Sequence, residues 1–159
     1  MKRAGFTLIE VLMVIILIGL GVVSLVAASS SFTKANGAGS QITTAEFLVE
    51  QIKELTIMLP VIDPQTETAV HGPEEASLAD YDDLDDLDGA VFSPPISAGR
   101  ENLSDLAGFS QRVTVENVSA SNFEQVVGDH SSFFVRVTVT VFLNSREICS
   151  TSWIRARYQ

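Results

Sequence analysis

Between Val11 and Thr33 the chain carries no charged side chain, and this limits its fold more than any other feature. As a helix, residues 6–28 extend roughly 35 Å at about 1.5 Å per residue, enough to cross a hydrocarbon core of about 30 Å. Lys2 and Arg3 stand just before the run, and Lys34 is the first basic residue after it. Positive charge on the cytoplasmic side therefore predicts a single pass, N-terminus in, with everything after Lys34 outside. The alternative is a secreted or anchored binding module with an ordinary signal peptide. Lys2 and Arg3 would open that peptide, and the small residues Val26, Ala27 and Ala28 would precede a cut before Ser29. Against it, the run is long for a signal peptide, and Glu10 sits where such a peptide is positive or neutral.

Glu10 itself needs an explanation. A carboxylate at the threshold of lipid loses hydration and gains nothing in return unless it finds a partner. It either snorkels to the headgroups, favoured by the positive end of the helix dipole, or awaits a cation from elsewhere.

Gly5, then Phe6-Thr7-Leu8-Ile9-Glu10, then a long apolar helix closely resembles the leader of type IV pilins and type II secretion pseudopilins. The resemblance implies cleavage after Gly5 by a prepilin peptidase, methylation of the new amino terminus at Phe6, and retention of the helix. It also implies that Glu10 pairs with the N-terminal amine of a neighbouring pilin or pseudopilin subunit, on an inner-membrane assembly platform. The physical chemistry agrees, because a desolvated ion pair fixes register more reliably than it adds net stability. Gly19 and Gly21 loosen the helix, yet the interrupting proline often found in such pilins is missing here.

Beyond the apolar run, KANGAGSQ (34–41) predicts a frayed or kinked passage because of Gly37 and Gly39. Ile42, Ala45, Leu48, Val49, Ile52, Leu55 and Leu59 then recur at spacings of three and four, which predicts an amphipathic helix ended by Pro60, its apolar face turned to a core. Residues 109–118, 132–144 and 146–157 alternate in polarity, predicting three antiparallel strands. A two-residue turn at Asn144-Ser145 would set Val141 opposite Ile148, Val135 opposite Ile154, and Arg136 opposite Trp153 as a cation–π pair. Phe133, Val135, Val137, Val139, Val141 and Leu143 would then form the apolar face.

The segment between, 60–108, is rich in turn formers and acid. In DYDDLDDLDG (80–89), together with Leu78, apolar residues recur every third position (Leu78, Tyr81, Leu84, Leu87), predicting a short helical turn with its aspartates outward. Asp82, Asp83, Asp85, Asp86 and Asp88 are calcium candidates, since hard cations favour clustered carboxylates. The spacing is not that of an EF-hand, which would place Leu84 and Pro95 at its first and last ligand positions, and the expectation is a solvated acidic face. DYDDLDDLDGAVFSPP also resembles a stretch in minor subunits of MSHA-type pili.

No catalytic constellation or cofactor motif is legible. His71 and His130 lie far apart in polar contexts, which predicts surface positions, and the single Cys149 excludes an internal disulfide. With 20 acidic and 10 basic residues, the net charge of −10 argues against nucleic acid as a partner. The sequence thus predicts an α+β, pilin-like subunit: a leader at 1–5, a transmembrane and assembly helix at 6–30, a linker and amphipathic helix at 31–59, an acidic loop region at 60–108 and an antiparallel sheet at 109–159. Its expected role is a minor pilin or pseudopilin of a type IV-like pilus or type II secretion pseudopilus, held in the inner membrane with its C-terminal domain in the periplasm.

Overall fold

A computed structural model describes residues 5, 7–65, 71–73 and 75–157. It contains a helix α1 (Leu8–Ile57), followed by strands β1 (Val91–Phe92), β2 (Phe109–Ser119), β3 (Asn122–Val126), β4 (Phe134–Leu143) and β5 (Arg146–Ala156). Short 3-10 turns cover Asp85–Leu87 and Ser104–Leu106. The chain divides into two compact units, Met1–Ser40 and Gln41–Gln159. The architecture is the pilin-like α+β arrangement, a long apolar N-terminal helix and a C-terminal antiparallel sheet.

In the first unit, every described side chain of α1 up to Ser40 is exposed. The stretch is helical throughout, including the 34–41 segment expected to fray or kink. Each glycine there weakens the helix by about 1 kcal/mol, but extending an existing helix needs no new nucleus, and no proline interrupts it. The serine- and threonine-rich passage survives for a related reason. Ser24, Ser31 and Thr33 donate their hydroxyls to the carbonyls of Leu20, Ala27 and Ser29, at 2.8, 3.1 and 3.1 Å. Each hydroxyl is thus satisfied by its own helix and needs no water.

The second unit buries the face that the three-and-four periodicity marks. Ala45, Leu48, Val49, Ile52, Leu55 and Leu59 join one core with Val113 and Val115 of β2 and Val135, Val137, Val139 and Val141 of β4. Ile42 was expected on that face but is 46% exposed, since it precedes the first buried turn. Phe133, expected to begin the apolar face of β4, lies before the strand and is half exposed. No basic residue lies in the last turn of α1. Arg155 of β5 fills that role by donating to the carbonyl of Thr56, which also accepts the Leu59 amide at 3.3 Å, and to the carbonyl of Leu59 just beyond the helix.

The sheet has five strands rather than three, ordered β1-β2-β4-β5, with β3 pairing with β2. Asn144 and Ser145 take φ of 49° and 68°, as a tight hairpin with the right-handed twist of its strands requires. Next to the turn the expected register holds, Leu143 opposite Arg146 and Phe142 opposite Glu147; then an irregularity between Val141 and Phe142 shifts it by one residue. Val141 consequently faces Cys149, Val135 faces Arg155, and Trp153 faces Val137 instead of Arg136. The expected Arg136–Trp153 contact is replaced. Trp153 packs against the core, and Arg136 pairs with Glu116 at 2.7 Å across β2. A one-residue bulge exchanges which side chains share a face, since strand periodicity is two.

Gln111 ties helix, loop and sheet together. It is fully buried, and its amide nitrogen donates to the carbonyls of Leu48 (2.8 Å) and Ile96 (3.2 Å), while its oxygen accepts from the Ile96 amide at 2.7 Å.

Candidate functional site

Two places in the chain concentrate chemistry. The first is the start of α1. Thr7 precedes the helix, and its hydroxyl accepts the backbone N–H of Glu10 at 3.3 Å, half of a Thr-x-x-Glu capping box. The other half is not made. Among the described residues the Glu10 carboxylate has no hydrogen-bond or ion-pair partner, and it stands exposed in the first helical turn. Gly5 is exposed, with nothing within 4 Å of where a Cβ would stand. Phe6, expected to become the methylated terminus, lies outside the described residues. From Leu8 onward α1 holds an 18-residue window of mean hydropathy 3.0, none of it buried.

The second place is the acidic run. The leucines behave as expected: Leu84 and Leu87 are fully buried, Leu78 and Tyr81 pack against the core, and residues 85–87 form a 3-10 turn. Asp80 is exposed and Asp82 and Asp88 are half-buried, but the other three aspartates turn away from solvent. Asp83, Asp85 and Asp86 are 0%, 3% and 1% exposed. The reason lies in the tight backbone, whose amides are capped by the run's own carboxylates. Asp83 Oδ1 accepts from the amides of Asp85 and Asp86 at 2.8 and 3.1 Å, and Asp86 Oδ2 accepts from those of Asp82 and Asp83 at 2.9 and 3.2 Å. Asp88 Oδ1 accepts the Val115 amide of β2 at 2.7 Å, and Gly89, at φ 71°, turns the chain toward β1. Arg100 pins the run from outside through the carbonyls of Leu78, Ala79 and Tyr81 at 2.9, 2.7 and 2.6 Å. Burial, with the carboxylates of Asp85 and Asp86 close by, pushes the Asp83 carboxyl up to about 8.

The histidines correct a second expectation. His71 and His130 meet edge-to-face with ring centroids 5.3 Å apart. Both address one oxygen of Asp85, His71 Nδ1 at 3.1 Å and His130 Nε2 at 3.6 Å, and their side chains are only 19% and 12% exposed. His71 Nε2 also lies 3.8–3.9 Å from Asp129 and Asp88. Asp85 thus differs from its neighbours in having two imidazoles for company.

Residues 1–26 match a family model described as the prokaryotic N-terminal methylation motif. That motif is the type IV pilin and pseudopilin signature. No curated protein and no solved structure matches the chain. The signature marks a pilin- or pseudopilin-like precursor, implies processing by a prepilin peptidase and assembly with other pilins, and fits anchoring in the inner membrane. It ends at residue 26 and does not reach the acidic run, whose likeness to MSHA-type minor subunits has no counterpart in these comparisons.

The residues that sequence reasoning missed all act at long range. Asp63 and Glu75 contribute carboxylates beside Asp82, Asp83 and Asp86, but they stand outside the DYDDLDDLDG run and nothing in their spacing ties them to it. The available signal was the burial implied by the leucine spacing, which leaves little room for the intervening aspartates to reach water.

Proposed function

We propose that the chain is a minor pilin or pseudopilin, inserted with its N-terminus in the cytoplasm and cut between Gly5 and Phe6. The new amine at Phe6 is methylated, and the domain from Gln41 onward lies in the periplasm. The observation that carries this reading is the methylation motif overlapping the start of α1, whose large apolar residues from Leu8 to Phe32 are exposed in the single chain. Such a surface requires lipid before assembly and neighbouring helices after it. In a fibre, the exposed Glu10 carboxylate takes the amine of a neighbouring subunit's Phe6. A misplaced subunit leaves both charges bare in an apolar bundle, so the pair sets axial register. The helix also runs uninterrupted through Ala28-Ser29, which supports retention over removal by signal peptidase.

Mass spectrometry of the mature N-terminus tests the processing: N-methylated Phe6 is expected, and a start at Ser29 refutes the proposal. Gly5 replaced by a bulky residue should leave an uncleaved, membrane-held precursor. Glu10→Ala should be cleaved normally, while the cleaved protein recovered in sheared fibres falls about a hundredfold, the scale of breaking a buried ion pair. Glu10→Gln should fail similarly, since it keeps shape without charge. Wild-type recovery of both variants removes the assembly role of Glu10.

A further inference from the structure

The carboxylates of the acidic segment divide their labour in a way the fold alone does not use. Asp83 and Asp86 each spend one oxygen on backbone amides, as described, and Asp82 spends Oδ2 on the side-chain amide of Gln65 at 3.2 Å. The second oxygen of each is buried and meets no hydrogen-bond donor: Asp82 Oδ1, Asp83 Oδ2 and Asp86 Oδ1. Nor does an ion pair reach any of the three among the described residues. The nearby cationic side chain of Arg100 is committed to backbone carbonyls. A buried carboxylate oxygen without donor or cation is among the costliest arrangements a folded chain can hold, and here three occur together.

Two further acids converge on them. Oxygens of Asp63, Asp82 and Asp83 lie within 4.8 Å of one another, and so do oxygens of Glu75, Asp82 and Asp86. Asp82 belongs to both triads. Asp63 is itself 4% exposed and held by the Gln65 amide at 2.6 Å. All five donors are hard oxygens, with no thiolate or imidazole among them.

We propose that Asp63, Glu75, Asp82, Asp83 and Asp86 form a calcium site, with Asp82 joining its two halves. The donor set selects the ion. Magnesium insists on compact octahedral geometry and keeps several waters, whereas calcium takes six to eight oxygens in irregular cages built largely from protein. Zinc and other borderline metals prefer ligands of the His71–Asp85–His130 kind. The bound ion supplies the positive charge that the three bare oxygens lack. It also ties the Asp63 and Glu75 segments to the 3-10 turn of residues 85–87.

The test uses the full chain in detergent micelles, stripped with a chelator and titrated with calcium chloride in a calorimeter, alongside thermal unfolding. Saturable heat is expected, with an unfolding midpoint raised by roughly 5 °C or more. Magnesium at the same concentration should move the midpoint by less than about 1 °C. Asp82→Asn keeps the side-chain shape but removes the shared charge, so its calcium affinity should fall at least about tenfold and the shift should vanish. In chelator this variant should melt no lower than wild type, because one repelling charge has gone; that result separates loss of binding from failure to fold. Absence of heat and shift in the wild type overturns the proposal, as does a full shift in Asp82→Asn. A rise with zinc but none with calcium, abolished in His71→Ala, also overturns it by placing the metal on the histidine cluster.

Discussion

The start of α1 and the acidic segment distribute polarity in opposite senses. From Leu8 to Phe32 the large apolar side chains are exposed, Leu8 at 91% and Phe32 at 72%. At residues 83–86 the carboxylates are inside. A folded chain ordinarily does the reverse. Each region is therefore incomplete alone, but what completes it differs in kind. The helix needs a broad apolar surrounding, which lipid or like helices supply without fine geometry. The carboxylates need one charge at one point. The difference teaches that exposure of apolar surface signals a partner of large area, while burial of unpaired charge signals a partner of small size and defined chemistry.

The contrast breaks most sharply under a polar substitution made once in each kind of surface. Leu48→Asn, at a fully buried position, should cost at least about 4 kcal/mol through lost packing and an unsatisfied amide. Ile16→Asn, at a position 54% exposed in the single chain, should leave the unfolding midpoint of the second unit unchanged within about 0.5 kcal/mol. Thermal unfolding of both in detergent decides it; a comparable loss for Ile16→Asn ends the comparison.

The helix and strands were legible because burial follows period, three-and-four in 45–59 and two in 134–143. What escaped was whatever depended on one residue more or less, or on chain segments that meet only after folding. Alternation in β4 and β5 is equally clear on either side of the Val141/Phe142 irregularity, so no pattern within a strand announces the shift that moves Trp153 onto the core. The aspartates failed differently. Charge suggests solvent, yet a 3-10 turn this tight offers amides that short carboxylates cap, and capping draws them inward with the leucines. His71 and His130 converge on Asp85 from segments that no spacing rule connects. At the N-terminus Gly5, Phe6 and Glu10 stand within one short stretch, so their pattern can be read without the fold, and the methylation motif spans them.

A smaller effect sharpens the account of the second unit. Gln111→Ala removes the side chain that satisfies buried groups of Leu48 and Ile96, and should cost about 2–3 kcal/mol by chemical denaturation, with calcium binding retained. A change below about 0.5 kcal/mol would mean that these groups find other partners without cost.

The smallest expected effect is kinetic. Burial, then the charges of Glu46 and Glu147, push the Cys149 thiol above its ordinary value. Less thiolate is present at a given pH, so alkylation by iodoacetamide at pH 8 should run several-fold slower than for a free thiol, its rate profile displaced to higher pH. Urea should restore the ordinary rate. Normal reactivity in the folded chain would show that acid groups near β5 are screened.

Arg155 sets an order of events during synthesis. The carbonyl of Thr56 receives a guanidinium that stands 99 residues later in the chain. At about 5–20 residues per second, the ribosome takes roughly 5–20 s to produce it. Until then the last turn of α1 stays open to water, and the strands against which its apolar face packs do not yet exist. On the proposed inner-membrane topology, the apolar start of the same helix has by then left the ribosome and met the membrane. Anchoring therefore comes first and domain closure last, with β5 as the final piece, so folding takes place on a chain already tethered at one end.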